Sequence, residues 1–188
     1  MRVRVADPTV DAERVAEIYR LYVTDTLISF EDVAPTGPEM ADRMRVVLAW
    51  TPWLVAENDD GVVVGYAYAS RHRERPGYRW SVDISVYIDD AWHRRGIGRA
   101  LYAELLDVLR RQRMINVYAG ITVPNPGSVG LHESIGMRRI GVYDKVGFKF
   151  GDWHDVAWYG MRLDEPVADP PEPIPFALAG EAQAICNR

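Results

Sequence analysis

A single cysteine, Cys186, is all that the 188 residues contain. Neither an intrachain disulfide framework nor a cysteine-based metal site can be built from it, and a reducing compartment is the natural setting. Lysine is nearly missing, since almost all of the 22 basic residues are arginine, and 27 acidic residues outnumber them. The resulting formal charge of −5 argues against a nucleic-acid or anionic-membrane surface, each of which needs a basic excess. No apolar run approaches membrane-spanning length, and the stretch Met1 to Pro8 lacks the apolar core and cleavage site of an export signal, so a cytoplasmic protein is expected. There is no internal repeat of fixed length either. What is present, 48% hydrophobic and 26% charged residues, suits one well-buried globular core.

Periodicity supplies the elements. Arg2 to Val5 alternates as a strand, and Asp7-Pro8-Thr9 reads as the start of a helix whose apolar face is Val15, Ile18, Tyr19 and Tyr22. Pro35 to Pro38 interrupts the chain, and Met40, Met44, Val47 and Leu48 mark a second helix that ends before Pro52. Trp53 to Glu57 and Val62 to Ala69 form a hairpin around Asn58 to Gly61, followed by the charged loop Arg71 to Gly77 and a strand from Trp80 to Ile88. Ile97, Leu101, Leu105, Val108 and Leu109 give a strongly amphipathic helix. A strand over Val117 to Val123, a short helix over Ser128 to Ile135 closed by Gly136, and two further strands complete residues 1–163. Residues 164–188, rich in proline, are expected to be an extended tail, packed on a partner.

Chemistry concentrates in three places. His93-Arg94-Arg95-Gly96-Ile97-Gly98-Arg99 lies between a strand end and a helix start. There, free N–H groups at the positive end of the helix dipole and close-approach glycines can cradle a pyrophosphate, with Arg94, Arg95 and Arg99 adding charge. Alone, such a turn is equally a plain tight turn. Leu101 stands where a dinucleotide fingerprint has its third glycine, and no Gly-Lys-Ser/Thr occurs, so neither of those phosphate motifs fits. In the strand before the turn, alternation puts Asp83, Ser85 and Tyr87 on one face, away from Ile84, Val86 and Ile88. Asp83 is a candidate base, or a surface carboxylate. Finally, Asn125 can bond an amide, and Ser128 and His132 lie one helical turn apart. His132 is a candidate proton donor, or a packed histidine.

In this order and spacing the three pieces resemble the GCN5-related N-acetyltransferase (GNAT) superfamily, within it the phosphinothricin acetyltransferase group. The likeness runs from Val5 to Leu163 and includes Trp53 to Glu57, Tyr66-Ala67, Ser85 to Ile88, Asn125, His132-Glu133 and Gly151 to Val156. It implies an α/β (α+β) GNAT fold: a mixed, mostly antiparallel twisted sheet of about seven strands flanked by about four helices, with acetyl-CoA between the central strands. By the same resemblance, Gly96, Ile97 and Gly98 bind the pyrophosphate, and the main chain of Val86, Tyr87 and Ile88 pairs with the pantetheine arm, continued by Asn125 and Ser128. Asp83 deprotonates a small amino-acid-like amine, directly or through a bridging water, a backbone N–H near Tyr87 stabilises the oxyanion, and His132 protonates the leaving sulfur or positions a water that does. Two positions depart from the family pattern. His93 stands where glutamine or arginine is usual, and Asp83 where glutamate is usual.

For the acceptor, Arg73 and Arg75 are expected to hold a carboxylate or phosphinate beside Tyr78, with Phe30 and Trp153 as apolar walls. His154-Asp155 is read as structural, because neighbours on a strand face opposite ways, and no metal is expected. A homodimer is the expected assembly. Acetylation of a protein N-terminus or lysine, and acetyl-CoA sensing without turnover, remain the competing functions.

Overall fold

In the computed structural model, which describes residues 1–178, alternation makes Arg2–Val5 the edge strand β1. The first helix does not start on Pro8 as expected. Asp7 accepts from the N–H and hydroxyl of Thr9, winding a turn first, and α1 spans Ala12–Thr24. Asp11, at its N-cap, spends its carboxylate on Arg4 at 2.6 and 2.8 Å and on the Asp7 N–H rather than on its own helix. Helix α2, Gly37–Leu48, starts ahead of Met40 because Thr36 and Glu39 close a capping box.

Strands β2 (Trp53–Glu57), β3 (Val63–Arg71) and β4 (Ser81–Ile88) form an antiparallel meander, and helix α3 (Ile97–Arg111) carries the chain over to β5 (Asn116–Val123). Helix α4 (Pro126–Ser134) and the long hairpin of β6 (Arg138–Lys149) and β7 (Asp152–Arg162) follow. The seven strands lie in the order β1-β2-β3-β4-β5-β7-β6. This is the mixed, mostly antiparallel sheet with four helices that the family resemblance implied.

Two cores sandwich the sheet. Leu101, Tyr102, Leu105 and Leu109 of α3 are fully buried against Val82, Ile84, Val117, Ala119 and Ala157, each leucine contributing about 1.5–3 kcal/mol of apolar transfer. On the opposite face α1 and α2 cover Trp53, Val55 and Tyr66, but they stop short of β5 and β7. That uncovered half of the sheet is where the site lies.

The segment after β7 corrects the expected partner-bound tail, because residues 171–176 run along the chain's own body. The indole of Trp80 donates to Pro171 O at 2.9 Å, and Arg79 clasps Glu172 through two 2.7 Å bonds. The amide nitrogen of Gln112, itself buried, donates to both Trp50 O and Ile174 O, and Phe176 is inserted into the α3 core. Cys186 lies outside the described residues.

Candidate active site

Among the described residues, the only parallel strand pair is also the shortest pairing in the sheet. β4 meets β5 over Ser81↔Asn116, Val82↔Val117 and Asp83↔Tyr118, and then the two strands part. Which atoms border the gap follows from the antiparallel pattern on the other side of β4. His72 N donates to Ser81 O and Asp89 N to Val64 O, so the odd-numbered residues bond β3. Val86 and Ile88 therefore turn their main chain to the gap, while the N–H of Tyr87 turns away from it. Of the backbone N–H groups near Tyr87, it is that of Val86 that borders the gap. The Ile88 N–H and C=O are both met by the hydroxyl of Tyr22, which donates to the carbonyl at 2.6 Å and accepts from the amide at 3.1 Å. The Tyr87 ring lies on the α1 face of the sheet, edge-on to Tyr19 and Tyr22, and burial pushes its phenol well above its usual range.

At the wide end of the gap is a groove of about 460 Å³. Val86, Ile88, Arg94, Gly96, Ile97, Gly98, Arg99, Asn125 and Ser128, all expected there, line it together with Tyr22, Ile28 and His93. Gly96 caps α3 at φ +80 with no side-chain cap, which leaves the first-turn N–H groups free to meet an anion. A Cβ on Gly98 would come within 3.0 Å of Leu131, so glycine keeps the floor open between α3 and α4. The residues present fit a diphosphate. Arg95 is the exception among the expected cations: its guanidinium stacks 4.6 Å over Trp92 instead. His93, the first departure from the family pattern, places Nε2 3.0 Å from the Tyr22 hydroxyl and 3.1 Å from Ile88 O. Asn125 uses its side-chain carbonyl to cap α4 at Ser128 N, and its amide nitrogen is left for a ligand.

His132 faces into the fold. Ser128 O, an obligate acceptor 2.7 Å from Nδ1, fixes the proton there, and Nε2 lies 3.0 Å from the hydroxyl of the buried Tyr102. Burial lowers the imidazole's affinity for a second proton. With both nitrogens engaged inside the fold, the ring locks α4 onto α3 and lies behind the groove wall.

Asp83 stands at the narrow end, where β4 and β5 part, and its side chain is 25% exposed. Burial raises its carboxyl above the ordinary value, while a hydrogen bond from His72 and the charge of Arg73 act in the opposite sense. His72, absent from the expected site, places Nδ1 2.6 Å from Asp83 Oδ1. Its ring packs 4.6 Å from Tyr118 and edge-on to Trp158. Only the β3–β4 register, which sets Ser70 opposite Asp83, brings this histidine out of the charged loop and over the carboxylate.

The expected acceptor residues scatter. Tyr78 stays near, 6.1 Å from His72 and edge-on. Phe30 covers Gly147 and stacks at 6.4 Å on His154. Arg73 and Arg75 line a separate hollow with Arg71, Arg79 and Glu172, and Arg73 donates to the carbonyl of His72. Trp153 packs on Phe148 near the tip of the β6–β7 hairpin. Asp83 is level with Tyr118 and Gly160, so Trp153 lies seven residues along β7, about 23 Å away. Trp158, five residues further on, is the tryptophan near Asp83, edge-on to His72. His154 and Asp155 are structural, bonding Lys149 O and Lys145 N. Among the described residues no group of three potential metal ligands forms.

A split sheet with an anion cradle at one end and a carboxylate at the other is the architecture of a group-transfer enzyme that uses a phosphorylated carrier. A family model described as an acetyltransferase (GNAT) domain matches residues 7–158. The chain is 37% identical over 166 residues to a phosphinothricin N-acetyltransferase of Streptomyces coelicolor, covering 81% of this chain and 91% of that one. It is 36% identical over 169 residues to an L-methionine sulfoximine/L-methionine sulfone acetyltransferase of Salmonella typhimurium, covering 89% and 98%. The crystal structure of a phosphinothricin acetyltransferase from Sinorhizobium meliloti in complex with acetyl-CoA superimposes with a TM-score of 0.86 at 34% identity, covering 94% of this chain and 96% of that one. The chain belongs to the GNAT acetyltransferase family.

Proposed function

We propose that this enzyme transfers the acetyl group of acetyl-CoA to the primary amine of a small amino-acid-like acceptor, of the kind that phosphinothricin, methionine sulfoximine and methionine sulfone represent. The observation that carries this reading is the geometry of the gap. Five residues of β4, about 16 Å of strand, separate the anion cradle near Ile88 from Asp83. A carrier held by its phosphates at one end and reacting at the other needs an arm of that order, which coenzyme A has and acetyl phosphate lacks. The free main chain of Val86 offers that arm a strand to pair with.

The chemistry then runs on this chain's own groups. Asp83 takes a proton from the acceptor's ammonium group, whose nitrogen keeps the electron pair and attacks the thioester carbon. The Val86 N–H donates to the oxyanion. The carbon–sulfur bond breaks, and the second amine proton leaves with the sulfur. His132 serves this reading by holding α4, which carries Ser128 and the Asn125 cap.

Two chains form the working unit in this reading. The outer strand β6 exposes Ile140, Tyr143, Val146 and Phe148 beside an edge that is unpaired among the described residues, a surface that a second copy can cover. A reducing, cytoplasmic setting suits a chain with one cysteine. Release of free thiol from acetyl-CoA, followed against glufosinate, methionine sulfoximine, methionine sulfone, free amino acids and an N-terminal peptide, tests the function. Turnover is expected with one or more of the small amines. Turnover with the peptide alone, or coenzyme binding with no turnover, overturns it.

A further inference from the structure

A carboxylate on a two-bond side chain, partly exposed at the end of a strand pair, has several staggered rotamers open to it. Something must choose among them if Asp83 is to meet the acceptor reproducibly. His72 is built to do so. Its own N–H extends the β3–β4 ladder by bonding Ser81 O, and its ring is packed by Tyr78, Tyr118 and Trp158, which come from three different parts of the chain. The 2.6 Å Nδ1 to Oδ1 separation is that of a charge-assisted bond. An ionised carboxylate only accepts, so Nδ1 carries the donated proton. Among the described residues, the His72 bond to Oδ1 is the one hydrogen bond that the Asp83 carboxylate accepts, and Oδ2 has no partner.

We infer that His72 is the positioning residue of this site: its Nδ1–H holds Oδ1 of Asp83, leaving Oδ2 as the atom that receives the acceptor's ammonium proton. The inference rests on the acetyl-transfer reading above. The proton crosses from nitrogen to Oδ2 while Oδ1 keeps its bond to His72, and it passes to water after the amide leaves. The same bond offsets the burial that favours the protonated acid. The other titratable or charged groups facing the pair are Arg73, Tyr78, Tyr68 on β3 and Tyr118 on β5, and none of them donates a hydrogen bond to Asp83. Without His72, only the charge of Arg73 opposes the burial. The carboxyl then gains its proton at a higher pH, and the rate is lost earlier on acidification.

The test compares His72→Phe, which keeps a ring but no donor, with His72→Asn, whose amide nitrogen stands where Nδ1 stands. For the Phe variant, kcat/KM for the amine is expected to fall roughly tenfold or more, and the acidic limb of its pH profile to rise by about one unit. Acetyl-CoA affinity should stay unchanged, and the Asn variant should recover most of both losses. If the acidic limb stays in place in both variants, or if both are equally impaired, His72 only packs and the inference fails. Asp83→Asn, run alongside, separates the two levels: slow turnover in that variant with unmoved His72 profiles sinks this inference alone, whereas full turnover removes Asp83 as the base. Should the Phe variant not fold, a downfield imidazole N–H resonance in the unmodified enzyme, lost in Asp83→Asn, decides the same point.

Discussion

The groove at the head of α3 and the carboxylate face at the parting of β4 and β5 are built from different materials. In the groove the working atoms are main-chain N–H groups from one continuous turn, supported by glycines whose role is to leave room. On the carboxylate face they are side chains from β3, β4, β5 and β7, brought together by strand register. A diphosphate needs only an array of amides and positive charge, which one short segment can supply. Choosing and deprotonating an acceptor needs directed side chains from several elements, which no short segment can supply.

Substitutions on either side should therefore separate in kinetics. The largest effect is expected from Asp83→Asn, with turnover falling roughly 10²-fold or more while calorimetry gives an unchanged affinity for acetyl-CoA. A parallel loss of affinity would mean that the two regions are not independent. Gly98→Val probes the other region. Its side chain must displace Leu131, already within 3.0 Å of a Cβ, and Val86 beyond it. Overpacking of about 1–3 kcal/mol should appear as a rise in KM for acetyl-CoA with the acceptor KM unmoved, as steady-state kinetics will read directly. The smallest effect is expected from Gly147→Ala, whose methyl group would fall 2.3 Å from Phe30 and push that ring aside. With Phe30 on His154, six residues along β7 from the level of Asp83, acceptor KM is expected to change by no more than roughly threefold across a panel of amines, below the 1.4 kcal/mol of a tenfold change. An effect on acetyl-CoA instead would assign Phe30 to the groove.

The head of the groove was legible because Arg94 to Arg99 are contiguous and announce a helix start by local rules, whereas Val86, Ile88, Asn125 and Ser128 were joined to it by the family resemblance. Strand alternation likewise placed Asp83 on the face opposite Ile84. The same alternation did not reveal that Tyr87 spends its N–H on β3, because that depends on which neighbour each residue bonds. Trp153 and Trp158 look alike in sequence, and only pairing with β5 shows that Trp158 stands near Asp83. Gln112 gave no signal at all, though its buried amide ties the last described segment to the loop before β2.

Residue order alone determined the elements and a turn suited to an anion, since each follows from periodicity or from backbone groups left unpaired at a helix end, whereas the mixed sheet was implied by the family resemblance. Tertiary structure decided the rest: that His72 rather than a loop arginine meets Asp83, that His132 faces inward to Tyr102, and that residues 171–176 belong to the body. The physical reason is range. Dihedral preference and capping act within a few residues, whereas a hydrogen bond between side chains 11 or 30 positions apart exists only once the sheet has set its register.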